Sequence, residues 1–99
     1  MLISRPAVAG TLESGDATVR ITPHDSLEVV VTSSVEAQYG DAVRRVVRQT
    51  LEGLGVARAL VTVTDKGALD YALRARVEAA VMRAGDEPVD WDVLIGGER

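Results

Sequence analysis

The chain has no cysteine and no phenylalanine, only one histidine, and three aromatic residues in all. Without cysteine there are no disulfides, no thiolate chemistry and no cysteine metal site. A lone histidine, His24, cannot make a two-histidine metal site. It lies in Pro23-His24-Asp25-Ser26, a run of turn formers, and reads as an exposed loop residue. No apolar run approaches the roughly 18 residues of a membrane span. Met1-Leu2-Ile3-Ser4-Arg5-Pro6 lacks the charged-then-apolar layout of a secretion signal, so the expected compartment is the cytoplasm. Basic charge is also scarce. The formal net charge is −4, which disfavours nucleic acid and anionic membrane as partners.

What is present is aliphatic. Of the 99 residues, 46% are apolar, mostly Val, Leu, Ala and Ile. That predicts one domain with a thin core: one layer of helices on one sheet. Ala7-Val8-Ala9 is a short extended piece. Thr18–Ile21 and Leu27–Thr32 alternate like half-buried strands, and the four-residue turn Pro23–Ser26 between them reads as a hairpin connection. Ser33 with Glu36 fits a capping box, Gly40-Asp41 interrupts, and a helix is expected from Asp41 to Leu54. Its stripe is Val43, Val46, Val47, Thr50, Leu51 and Leu54, and Gly55 stops it. Ala59–Thr64 is a β-branched strand, reached from the strand before the helix by a parallel crossover. A second helix runs from Leu69 to Ala84, with Leu69, Ala72, Leu73, Val77, Ala80, Val81 and Ala84 as its stripe. The expected fold is an α+β two-layer sandwich: a small, mostly antiparallel sheet of three to four strands with two long helices on one face. Residues 86–99 form a C-terminal tail whose Trp91 is either a satellite core residue or a docking anchor.

Few residues are candidates for chemistry. Asp65-Lys66-Gly67-Ala68-Leu69-Asp70 is first a strand-to-helix turn with an Asp cap, and second an anion site using Lys66. Arg44, Arg45, Arg48, Arg74, Arg76 and Arg83 are either solvated helix surface or, if the two helices adjoin, an anion-binding face. The glycines match no phosphate loop. Ser14, in Ala9-Gly10-Thr11-Leu12-Glu13-Ser14-Gly15-Asp16, is a poor nucleophile, because His24 lies across a predicted strand and the Gly-x-Ser-x-Gly elbow is missing. From the residues alone the stretch is a β-turn in the first instance. The alternative is a modification target: a short polar loop, room beside Gly15, and Glu13 and Asp16 keeping the hydroxyl exposed.

This stretch, followed by a Val-Arg-Ile strand, resembles the acyl carrier (gamma) subunit family of citrate lyase. Ser33-Ser34-Val35-Glu36 with Tyr39-Gly40, Asp65–Asp70, and Leu73-Arg74-Ala75-Arg76-Val77 look like the same family, in order and spacing. The resemblance implies one acyl-carrier domain over residues 1–99. It implies that Ser14 carries a 2'-(5''-phosphoribosyl)-3'-dephospho-CoA group through a phosphodiester, supported by Glu13, Gly15 and Asp16. The arm's thiol would bear acetyl and citryl groups during cleavage of citrate to acetate and oxaloacetate. The chain would be a non-catalytic subunit with no metal of its own. Its partners would be a transferase (alpha) subunit, a lyase (beta) subunit that holds the divalent metal, and a prosthetic-group transferase. The malonate decarboxylase carrier is a similar alternative, and a non-enzymatic ligand-binding or interaction module is another.

Overall fold

The computed structural model describes residues 1–33 and 37–86. Glu36 of the expected capping box, Ser34-Val35 of the second matching block, and Trp91 with the tail from residue 87 lie outside the described residues. Four strands and two helices follow in order: β1 (Ala7–Gly10), β2 (Ala17–Thr22), β3 (Leu27–Ser33), α1 (Ala37–Gly53), β4 (Ala59–Asp65) and α2 (Asp70–Ala84). The sheet order is β1-β2-β4-β3. β1–β2 and β2–β4 are antiparallel, while β3–β4 is parallel. The fold is thus an α+β sandwich with a mostly antiparallel sheet.

One local expectation fails. β2 and β3 are not a hairpin, because β4 lies between them, with Val19 opposite Val63 and Val31 opposite Val63 on its other side. Alternation fixes which face of a strand is buried, but not which strand becomes its neighbour. The parallel pair is closed by α1, as a parallel connection requires. Helix α1 also runs unbroken through Gly40, where an interruption was expected. A glycine inside a helix costs only about 1 kcal/mol, too little to stop it.

The alternation sends Ala17, Val19 and Ile21 of β2, Val29 of β3, and Ala59, Val61 and Val63 of β4 to one face, all buried. Both helices cover that face. Val43, Val46, Val47 and Leu51 descend from α1; Leu73, Val77, Ala80, Val81 and Ala84 descend from α2. Helix α1 ends as its sequence indicates. Gly55 takes φ +74°, its N–H donates to the Glu52 carbonyl, and the Val56 N–H reaches back to the Leu51 carbonyl. That is the glycine-terminated Schellman pattern. The opposite sheet face keeps Thr18, Arg20, Thr22, Glu28, Val30, Thr32, Leu60, Thr62 and Thr64 at least partly open to solvent.

The N-terminal segment belongs to the core, which its composition did not suggest. Ile3 is buried and bridges Gly85. The Met1 amine donates to the Gly55 carbonyl at 2.7 Å, and Arg5 Nη1 donates to the carbonyls of Arg83 and Gly85 at the end of α2. A cation there meets unpaired helix-terminal carbonyls.

The α2 stripe separates into core and rim. Leu73 is 1% exposed, whereas Leu69 is 63% exposed. Leu73→Ala is expected to cost about 2–5 kcal/mol, and Leu69→Ala to stay within about 0.5 kcal/mol, as read by urea unfolding.

Candidate functional site

The β1–β2 connection, residues 11–16, sits at the sheet end where β3 and β4 also finish and both helices start. It is short and internally bonded. At Gly10, with φ +98°, a side chain would collide with the Ala17 carbonyl oxygen, so only glycine lets the chain fold back so closely. The Thr11 hydroxyl accepts the Glu13 N–H at 3.2 Å and donates to Asp16 Oδ2 at 2.6 Å. Residues 13–16 then make a β-turn, closed by the Asp16 N–H on the Glu13 carbonyl at 3.1 Å. Gly15 takes φ +84° at the third position, which favours glycine, and Ser14 occupies the exposed second position. A Cβ on Gly15 would meet nothing within 4 Å, so the space around the turn is open.

Two reciprocal backbone bonds fasten the turn to the segment after β4. The Gly15 N–H donates to the Lys66 carbonyl at 2.7 Å, and the Lys66 N–H donates to the Asp16 carbonyl at 2.9 Å. They continue the β2–β4 ladder by one step beyond Ala17–Asp65. A side-chain clamp adds to this. Arg76, in the second turn of α2, donates from Nε to Asp16 Oδ1 at 2.9 Å and from Nη2 to Oδ2 at 2.8 Å. Such a two-point guanidinium–carboxylate contact fixes direction as well as distance. The Ala17 N–H adds a third bond to Oδ1 at 2.7 Å. Arg76 first, then Thr11 and the Ala17 N–H, hold the Asp16 carboxyl well below the usual carboxylate range.

This changes the reading of the acidic flanks. Glu13 is exposed, but Asp16 is not a free negative charge beside the serine. Its side chain is only 16% exposed and is neutralised by Arg76. Asp16 and Arg76 thus form a structural joint. Nor do the arginines converge on one anion site. Arg76 holds the loop, and Arg83 donates to the Val8 carbonyl of β1 at 2.7 Å. Arg45, Arg48 and Arg74 are exposed, and Arg44 pairs with Asp41 one turn away. The i, i+7 spacing of Arg76 and Arg83 was the available signal that both share a helix side. Nothing local showed that this side faces β1 and its loop.

The remaining candidates are accounted for. Asp65 is buried and caps its turn: Oδ1 accepts the Gly67 and Ala68 N–H groups at 3.2 and 2.9 Å, and Oδ2 accepts the Ser33 hydroxyl at 3.1 Å. Asp65 thus takes the Gly67 and Ala68 N–H groups, while α2 itself starts after Leu69 with no side-chain cap, so the expected Asp cap serves the turn and not the helix. His24 is exposed at the far end of β2, beside Glu28 at 3.4 Å. At about 3.3 Å per residue, roughly 20 Å of strand separates it from Ser14, too far for proton transfer. No cluster of metal-ligating side chains occurs among the described residues, and none of their helices is long and apolar enough to cross a membrane.

Because the Asp16 carboxyl is held below its ordinary value of 3.8, its contribution to loop order is complete above that pH and is lost as pH falls below it. The Arg76 Nε–H resonance of the native chain is therefore expected to stay fixed from neutral pH to about 4 and to move only under stronger acid. In Asp16→Asn, it should sit near the solvent-exposed position throughout.

Residues 4–84 match the family described as Malonate decarboxylase delta subunit (MdcD), an acyl carrier family. Citrate lyase acyl carrier protein of Haemophilus influenzae is 50% identical over 95 residues, covering 96% of this chain and all of its own length. That of Vibrio cholerae is 54% identical over 97 residues, covering 95% of this chain and 99% of its own. A crystal structure of a Pseudomonas malonate decarboxylase hetero-tetramer in complex with malonate contains a chain that superposes with a TM-score of 0.63 at 27% identity, over 86% of this chain and 93% of that one. Near-complete coverage in both directions, on a fold whose serine-bearing turn is clamped yet open, places the chain in the acyl carrier protein family of citrate lyase and malonate decarboxylase.

Proposed function

We propose that this chain is the acyl carrier subunit of a citrate lyase and that Ser14 is the attachment point of its prosthetic group, 2'-(5''-phosphoribosyl)-3'-dephospho-CoA. The observation that carries the assignment is the state of Ser14. Its hydroxyl is exposed at the apex of a turn whose neighbours are fixed, and among the described residues no base is hydrogen-bonded to it. A nucleophile needs a base and an oxyanion pocket. An attachment point needs an accessible hydroxyl and a firm root.

The residues present suit the group. Gly15 leaves space for a phosphodiester and for the enzyme that forms it, and the Asp16 charge is offset by Arg76. When attached, the group supplies the thiol that this cysteine-free chain lacks, on which acyl units travel while citrate becomes acetate and oxaloacetate. The chain's own residues hold the anchor. Gly10 and Gly15 shape the loop, Lys66 and Asp16 lock its backbone, and Arg76 orients Asp16. A tether of this kind raises the local concentration of the acyl unit at more than one active site. The proposed partners are transferase (alpha) and lyase (beta) subunits and a prosthetic-group transferase, and the proposed compartment is the cytoplasm. The chain contributes no catalytic residue.

The second reading is a malonate decarboxylase carrier. The matching family description and the superposed decarboxylase chain favour it. Over 50% identity to citrate lyase carriers at almost full coverage favours the first.

Co-expressed with its own maturation enzymes, the chain is expected to gain the mass of one prosthetic group, and Ser14→Ala to gain none while keeping its unfolding midpoint. An unchanged mass in the unsubstituted chain overturns the attachment. The acetyl-loaded complex should produce oxaloacetate from citrate. Carbon dioxide from malonate instead would establish the second reading.

A further inference from the structure

Beside the Ser14 turn, between the first turns of α1 and α2, lies an open groove of about 720 Å³. That is within the range of roughly 300–1,000 Å³ typical of small-ligand sites. Tyr39 lines it from α1; Tyr71 and Arg74 line it from α2; Val43, Ala68 and Leu69 add apolar surface. Three of the large hydrophobic side chains left exposed in the described fold meet here: Tyr39, Leu69 and Tyr71, at 53%, 63% and 71%. Such side chains gathered on one concave surface mark a binding site more often than they occur by chance.

The groove's chemistry narrows the ligand. Its lining carries one cation, Arg74, against two carboxylates, Asp70 and Asp65, the latter turned onto its own turn and Ser33. A dense anion gains little there. A flat, uncharged heteroaromatic ring suits a lining of two tyrosines and an arginine, the side-chain types on which nucleobases stack. Its position narrows the ligand further. The Gly15–Lys66 hydrogen bond of 2.7 Å puts the Ser14 Cα within roughly 8 Å of the Gly67 Cα on the groove's rim.

We propose that this groove is the resting berth of the purine base of the arm attached at Ser14, held between Tyr39 and Tyr71. The inference rests on the attachment reading above. In that arm the adenosine lies near the serine and the thiol lies at the far end. A seated base fixes the root of the arm and leaves the thiol-bearing length free to swing. It also covers apolar surface that a carrier would otherwise expose between visits to its partners.

The test uses NMR of the apo chain, of the arm-loaded chain with its mass verified, and of the apo chain titrated with free 3'-dephospho-coenzyme A. Expected are shifts of the Tyr39, Tyr71 and Arg74 signals in the loaded chain, similar saturable shifts with the free compound on the apo chain, and none when the compound is added to the loaded chain. Tyr71→Phe should bind the free compound as the native chain does, and Tyr71→Ala about five-fold more weakly or worse. A loaded chain of verified mass whose groove signals match the apo form overturns the berth and leaves the attachment standing. So do groove signals that move only on addition of the transferase or lyase subunit, which make the groove a protein-docking surface. A chain that never gains the arm's mass overturns the attachment, and the berth with it.

Discussion

Central placement of β4 is the constraint on which the rest of the fold depends. One seven-residue strand pairs on both sides, antiparallel to β2 and parallel to β3. Its inward residues Ala59, Val61, Val63 and Asp65 are all buried. The parallel edge forces the connection through α1, which sets that helix over β3, and the chain then returns through α2 over β1 and β2. The strand's end supplies Lys66 to lock the serine loop and Asp65 to cap the turn into α2. Serine loop and tyrosine groove thus adjoin because both are built on the residues that follow one strand.

How much of this was legible in the sequence follows from the range of each interaction. Alternation in Thr18–Ile21 and Ala59–Thr64, and the helical stripes through Val47, Leu51 and Val77, are local patterns, and they identified elements and faces. Gly55 announced its helix end, since only a residue tolerant of positive φ fits there. Pairing is non-local. The Pro23–Ser26 turn looked like a hairpin because nothing near it shows that residues 59–65 will enter between its strands. Ile3 was overlooked because one apolar residue in a short strap has no period.

The same distinction holds at the site. Ser14, Gly15 and the turn around them could be read directly. Arg76 could not, since it meets Asp16 across 60 positions of sequence, and a helix arginine off the apolar stripe resembles any solvated one. From sequence, Asp16 reads as an acidic flank that keeps the Ser14 hydroxyl exposed. It does not keep the serine exposed by repulsion; it ties the loop to a helix. The chain thereby keeps a fixed backbone beneath a free hydroxyl.

The thinness of the sandwich has a mechanical meaning. The described residues measure about 36 by 35 Å in two directions but only 20 Å in the third. Strand ends lie on the perimeter of such a slab, so Ser14 stands on its rim rather than on either broad side. A tether rooted on a rim bends over one side as readily as over the other. Two bodies seated on opposite sides would be reached by a pivot at the root, with no need for the slab itself to turn over.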